Sequence, residues 1–389
     1  MKKKQADWRD ATLQDLVYFQ RGFDISQVEQ EAGAIPVISS SGTKSYHSEA
    51  KVKSPGVIIG RKGTLGSIYY SRVDYWPHST TLWSKDLKGN DARFVYYFLH
   101  TLKLERLDTG NSNPTLNRNH IHKISIKIPP LPIQQKIADI LSKYDDLIEN
   151  NRRRIELLER SARLLYKEWF VRLRFPGHEH TPIIDGIPEG WKYLKLEEVI
   201  SDIIDYRGKT PKKLGGDWSN SGIPALSALN VKNNQLINLD KCKFVNESLY
   251  EKWMKTELQK YDILMTSEAP LGELYYLTSE QKFCLSQRLY AIRANVDVIK
   301  PAMLFCTLLT PKTQAEIHSR ETGTTVFGIR QSALREISIL VPSIELQELA
   351  TETLDSIFEQ KEVLQKQNQK LKQARDILLP KLMNGEIEV

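Results

Sequence analysis

Cysteine is scarce: Cys242, Cys284 and Cys306 are the only three in 389 residues. They are odd in number, far apart and without Cys-x-x-Cys spacing, which argues against a disulfide framework or a zinc ribbon and predicts reduced thiols in a cytoplasmic protein. Long hydrophobic runs are also missing. Nowhere do the roughly 18 consecutive apolar residues of a membrane span occur. The basic start Met1-Lys2-Lys3-Lys4 leads into Gln5-Ala6-Asp7-Trp8 with no apolar stretch behind it, so no secretory leader is expected. A strong charge of one sign is absent too. Lys plus Arg number 55 against 48 Asp plus Glu, a net +7 that permits nucleic-acid binding without demanding it. What remains, 40% hydrophobic and 26% charged residues, is the composition of a globular chain, and the length calls for two domains with connecting elements.

Catalytic signatures are wanting as well. Gly208-Lys209-Thr210 resembles the end of a phosphate-binding loop, but Ile203 stands where its first glycine belongs. Asn113-Pro114-Thr115 lacks the second proline and the aromatic of an amino-methyltransferase motif. Glu280-Gln281-Lys282 and Glu359-Gln360-Lys361 match a nuclease Glu-x-Lys fragment, yet neither follows a Pro-Asp strand. The pairs His120/His122 and His178/His180 have no third ligand at metal spacing, and no Gly-x-Ser-x-Gly elbow occurs. These gaps favour a binding protein over an enzyme and predict no metal and no cofactor in this chain.

A tandem repeat is present. Six segments recur in the same order: Trp8-Arg9 with Trp191-Lys192, Arg21-Gly22 with Arg207-Gly208, Ile35-Pro36 with Ile223-Pro224, Leu65-Gly66 with Leu271-Gly272, Thr109-Gly110 with Thr322-Gly323, and Ile124-Ser125-Ile126 with Ile337-Ser338-Ile339. The second copy carries insertions, mostly before residue 260. Each copy reads as a mixed α/β globule followed by a long helix. In the first, Gly56-Val57-Ile58-Ile59-Gly60 reads as a buried strand, residues 61–66 as a glycine-punctuated loop, Ser67-Ile68-Tyr69-Tyr70 as the returning strand, and residues 94–99 as a helix with core aromatics.

From Ile133 to about Phe170 neither proline nor glycine interrupts the chain, and apolar residues keep heptad spacing. One column is Ile137, Tyr144, Asn151, Leu158 and Leu165; the other is Leu141, Ile148, Ile155, Ala162 and Trp169. This is a coiled-coil seam on a helix on the order of 55 Å long. The second copy repeats the first column without a gap as Ala350, Ile357, Leu364, Leu371 and Leu378. Its second column, Leu354, Lys361, Asn368, Arg375 and Leu382, is far more polar and predicts a narrower seam. Each helix follows its own globule, so an antiparallel pairing would set two similar readers on a spacer with pseudo-two-fold symmetry. Symmetric readers bind half-sites about one helical turn (~34 Å) apart, or multiples of it.

The loops of the two copies carry different polar groups. In copy one the candidates are Ser40, Ser41, Lys44 and Tyr46, then Arg61 and Lys62 on the glycine-bounded loop, His78, Ser79 and Thr80, and Asn113 and Arg118. Copy two offers Ser227, Asn230 and Lys232, then Ser267 and Glu268, Gln287 and Arg288, and Thr324 and Thr325. Short hydroxyls and lysines suit phosphates, arginine forks onto guanine, and a glutamate can accept from a cytosine amino group. A single loop Lys or Arg can equally be solvated, and Glu268 can equally be a surface or loop-internal carboxylate. Shared scaffold with divergent loops is what two readers of unlike half-sites on DNA would show.

Together, several stretches resemble the specificity subunits of Type I restriction-modification enzymes. They are the paired Ile-Pro openings, the loop Val57-Ile58-Ile59-Gly60-Arg61-Lys62-Gly63-Thr64-Leu65-Gly66, the helix entry Ile128-Pro129-Pro130-Leu131-Pro132-Ile133-Gln134-Gln135-Lys136-Ile137 with its continuation Leu141-Ser142-Lys143-Tyr144-Asp145-Asp146-Leu147-Ile148-Glu149, and the reopening Asp185-Gly186-Ile187-Pro188-Glu189-Gly190-Trp191. The resemblance covers essentially the whole chain. It implies target-recognition domains at 1–130 and 176–342, a central coiled-coil helix at 131–175 and a C-terminal one at 343–389. It implies a non-catalytic, sequence-specific subunit for double-stranded DNA that reads a split asymmetric target. Two methyltransferase subunits using S-adenosylmethionine and two restriction/translocase subunits using ATP and Mg would be its partners. One departure is the second helix entry, Val341-Pro342-Ser343-Ile344-Glu345-Leu346-Gln347, which has a single proline and leaves its N-terminal contact open. Rival readings are the specificity subunit of a solitary adenine-methylation system, a coiled-coil scaffold that binds no DNA, and an enzyme with an unfamiliar site.

Overall fold

The computed structural model describes residues 8–107, 115–323, 325 and 327–389. The chain forms two compact units. One comprises Met1–Asn151 with Gln367–Val389, the other Arg152–Lys366, so the division crosses both long helices.

The first unit is built on a four-stranded antiparallel sheet. In spatial order its strands are Tyr18–Arg21, Thr81–Asp86, Gly56–Gly60 and Ile68–Ser71. The run 56–60, apolar on both faces, is buried along its whole length, as an uninterrupted Val-Ile-Ile stretch in the middle of a sheet should be. Beside it lies a three-stranded sheet in which Ile35–Ser39 pairs antiparallel with Gly42–His47 and parallel with Trp76–Pro77. A separate ribbon joins Arg9–Thr12 to Ser125–Ile128. The helix Ala92–Leu99 starts where the Asp91 side chain accepts from the Phe94 N–H, and it lays Phe94, Val95, Tyr97 and Phe98 into the core.

The second unit repeats this plan strand for strand. Its large sheet runs Ile200–Asp205, Leu289–Ala294, Ile263–Thr266, Leu274–Tyr276. Its small sheet sets Ile223–Leu226 antiparallel to Lys243–Val245 and parallel to Cys284–Leu285, and the ribbon pairs Lys192–Lys195 with Ser338–Val341. The expected insertion before residue 260 is a hairpin, Val231–Lys232 with Gln235–Leu236, followed by the helix Glu247–Trp253.

The central helix spans Leu131–Tyr166 and continues into a wider turn at Lys167–Val171; the C-terminal helix spans Ile344–Met383. Within the first unit, Ile137, Ala138 and Leu141 share a core with Leu378, Leu379, Leu382 and Met383, while Asn151 meets Asn368 at 3.0 Å. As one helix advances its partner recedes, which is antiparallel packing. Within the second unit the same sense holds: Glu159 faces Lys361, and Ala162, Tyr166 and Phe170 share a core with Phe358, Leu354 and Ala350.

The polar column is part of this seam. Arg375 pairs with Asp145 at 2.5 Å, Asn368 with Asn151, and Lys361 with Glu159 at 2.6 Å. Each of these three residues of the C-terminal helix has its complement on the central helix, a pattern that fixes register where an all-leucine seam could slide.

Both helix entries are locked alike. Gln134 donates to the Pro129 carbonyl and to Asn90 Oδ1, and accepts from the Asp91 N–H. Gln347 donates to the Pro342 and Val298 carbonyls and accepts from the Lys300 N–H. Each is 1% exposed. The single proline of the second entry therefore leaves its contact intact.

Candidate nucleic-acid interface

In each unit the loop after the central buried strand is folded back by the same bonds. In the first, the Gly66 N–H donates to the Gly60 carbonyl (3.0 Å), Gly60 to Ser67 (2.7 Å), Arg61 to Thr80 (2.8 Å) and Leu116 to Arg61 (3.0 Å). In the second, Gly272 donates to Thr266 (3.0 Å), Thr266 to Glu273 (2.9 Å), Ser267 to Arg288 (2.9 Å) and Ile329 to Ser267 (3.0 Å). The turn needs glycine at Gly66 and Gly272, with φ of +69° and +84°; a Cβ at Gly66 would lie 2.6 Å from the Glu105 nitrogen. These bonds place Arg61 level with Ser267, Lys62 with Glu268, and Thr80 with Arg288.

The bonds also gather the candidate segments. In the first unit, Ser40 N–H donates to Thr80 Oγ1 at 3.3 Å, Thr80 Oγ1 lies 3.0 Å from His78 Nδ1, and the Ser40 carbonyl accepts from Ser67 Oγ. Lys62 bridges to Thr115. Ser41, Lys44, Tyr46 and Lys62 are exposed; Arg61, His78, Thr80 and Arg118 are half-buried. Among the described residues no carboxylate pairs with Arg61. Burial, then the charge of Arg21, pushes its guanidinium below the usual range. Burial, then Lys44, also holds His78 below its ordinary value. Among the described residues, Asp24 is the carboxylate of this cluster; it pairs with Arg21 and lies near His78, while Arg61 and Lys62 have none paired to them.

The second unit has the opposite arrangement. Glu268 stands where Lys62 stands, and Arg288 Nε lies 3.1 Å from Glu268 Oε1. Arg288 and Gln287 are exposed, and Lys232 is exposed on the inserted hairpin. Thr325 is exposed on the turn closed by Thr322 and Gly328. Asn113 and Thr324 lie outside the described residues.

Several candidates are buried, and some of them hold the scaffold. Ser40 and Ser79 are buried. Asn230 is 5% exposed and accepts from the N–H and hydroxyl of Ser227 while donating to the Ile237 carbonyl. Ser267 is 1% exposed. The sequence offered hydroxyls and amides without showing which of them close turns.

Two residues join the set that the sequence argument did not single out. Arg21 ends the strand Tyr18–Arg21, and Arg207 lies two residues beyond the end of the matching strand Ile200–Asp205. Arg21 reaches Asp24 at 3.1 Å; Arg207 forks onto Asp205 with two 2.9 Å bonds and lies over the Tyr290 ring at 4.3 Å. The recurring Arg-Gly pair was the available signal.

The catalytic near-misses have structural roles. Lys209 donates to the Trp253 carbonyl, Lys282 pairs with Glu247, and His122 is buried, its Nε2 accepting from the Phe19 N–H at 3.0 Å. Among the described residues no group of His, Cys, Asp and Glu is placed to hold a metal, and no helix is long and apolar enough to cross a membrane.

Duplicated recognition-like units joined by paired helices define a class. Residues 5–160 and 188–373 match the Type I restriction modification DNA specificity domain, and the chain belongs to that family of specificity subunits. It is 26% identical to the Type I restriction enzyme MjaIX specificity subunit of Methanocaldococcus jannaschii, over 98% of this chain and 94% of that protein. It is 23% identical to the HindI specificity subunit of Haemophilus influenzae, over 70% and 71%. In fold it resembles the crystal structure of the Type-I restriction-modification system S subunit from M. genitalium, with a TM-score of 0.68, 16% identity and 98% of both chains covered.

Proposed function

We propose that this chain is the DNA-reading component of a Type I system. Its two globular units, residues 1–130 and 176–342, each read one half of a split, asymmetric target on double-stranded DNA. The helical segments 131–175 and 343–389 hold methyltransferase subunits and, in a complete system, restriction/translocase subunits. S-adenosylmethionine and ATP with Mg belong to those partners, and this chain contributes recognition without chemistry.

The observation that carries the reading is the pair of loops built on matching backbone bonds but tipped with different side chains: Arg61, Lys62 and Thr80 in one, Ser267, Glu268 and Arg288 in the other. A scaffold duplicated for one ligand would keep its contact residues. A scaffold duplicated for two half-sites keeps the frame and changes the tips. Arg61, with no carboxylate paired to it among the described residues, and exposed Lys44 and Lys62 suit the phosphate backbone and a guanine edge.

The test is a genome-wide map of N6-methyladenine in the source cell with and without this gene. Loss of methylation at one motif made of two separated, unlike halves is expected. An unchanged map in a cell shown to make the protein would contradict the reading.

A further inference from the structure

The Glu268–Arg288 pair is unexplained by the needs of the fold. The turn it sits on is held by backbone hydrogen bonds that the first unit makes equally well with Lys62 and Thr80 in the matching places, so the loop closes without an ion pair. The pair is also poorly suited to stabilise anything. The two side chains are 47% and 35% exposed, and ion pairs that open to water contribute little. Yet Arg288 is held in a left-handed backbone conformation, φ +63°, which a non-glycine residue adopts only where its surroundings impose it. On the other side, Glu268 is backed by Gly328: a Cβ there would approach the Glu268 Cβ to 2.8 Å. The backbone thus sets where both side chains leave the chain, and a carboxylate and a guanidinium stand 3.1 Å apart with part of each in solvent.

A carboxylate beside a guanidinium is complementary to one arrangement of groups in the DNA major groove. A cytosine presents an amino donor, and its guanine partner presents the adjacent O6 and N7 acceptors. Adenine and thymine present no such order of donor and acceptors. We propose that Glu268 and Arg288 act together as the reader of one C·G base pair in the half-target of the second unit, Glu268 accepting from the cytosine amino group and Arg288 donating to the guanine edge. Their mutual contact keeps Arg288 from turning to a phosphate, so the pair selects a base where a lone arginine would also accept backbone. The inference rests on the reading of this chain as a DNA-reading subunit.

The experiment expresses the full chain, with its methyltransferase subunits, in a host lacking the locus, and maps N6-methyladenine for wild type, Glu268→Gln, Arg288→Lys and Arg288→Ala. A wild-type motif with no C·G pair in the half read by the second unit, the half that stays when residues 1–130 are exchanged, overturns the proposal. Glu268→Gln and Arg288→Ala are expected to relax discrimination at the same single position by about ten- to a hundredfold, leaving the other half of the motif unchanged. Arg288→Lys keeps the charge but loses the fork, so it should relax that position as well. Methylation lowered evenly with an unchanged motif would mean phosphate contact only. An unchanged motif at full level would mean a surface ion pair. Loss of all methylation in every variant would mean a structural part. Each of these overturns the proposal. No motif at all with the wild-type chain, beside active partners, would instead overturn the DNA-reading function on which it rests.

Discussion

The Arg61 side chain is the position of the first unit on which the proposed reading leans most. It is half-buried at the loop tip, its charged neighbour is another arginine, and among the described residues no carboxylate pairs with it. Arg61→Ala should weaken DNA binding of the assembled complex by about tenfold and lower its salt dependence, with the melting temperature unchanged. Equal affinity and an equal salt slope would remove Arg61 from the interface. His122 is the converse, a polar residue spent on the fold. Burial, then Arg118, keeps its imidazole below the ordinary 6.5, and a proton on Nε2 would face the Phe19 N–H donor. Its folded-state pKa lies below the unfolded one, so its contribution is complete above about 6.5 and is lost as pH falls through the folded value. Wild type should therefore lose more thermal stability between about pH 7.5 and 5.5 than His122→Gln, whose side-chain oxygen can accept the same bond. Identical losses would contradict this. At this scale the sequence was legible only in part. Arg61, Lys62, Glu268 and Arg288 are exposed or half-exposed on loops, whereas Asn230, Ser40 and Ser267 are buried, which the sequence could not show because what buries a short polar side chain lies elsewhere in the chain.

The elements were more legible, since periodicity is local. The run 56–60, the helix over 94–99 and the unbroken stretch from Ile133 lie where the pattern put them, with boundaries moved by a few residues. The polar column of the C-terminal helix had a meaning that no single helix reveals. Lys361, Asn368 and Arg375 look like weak seam positions until Glu159, Asn151 and Asp145 stand opposite. Lys361 also donates to the Asn234 carbonyl on the inserted hairpin. With the side chains of Lys361 and Glu159 only 9% and 21% exposed, Lys361→Ala would strand a carboxylate and destabilise the second unit by about 3 kcal/mol. Adding Glu159→Leu to Lys361→Met should recover most of that loss. A single variant as stable as wild type in denaturant titrations would show that the pair is not a seam contact. Gln134 and Gln347 went unread for a similar reason: their role depends on carbonyls presented by a neighbouring element.

For the whole molecule, the repeat was the strongest message of the sequence. The weak matches in order became two units with equivalent strand plans, down to one parallel pair in each small sheet, Thr109-Gly110 lying outside the described residues. The target sequence was not legible, because a list of side chains does not give the groove they would enter or the shape of the DNA they would select. The account's central claim is that the two units read separate halves. Its most direct test replaces residues 1–130 with the first unit of another specificity subunit and maps the methylated motif. One half should change and the other stay as it was. A change in both halves, or in neither, would contradict the claim.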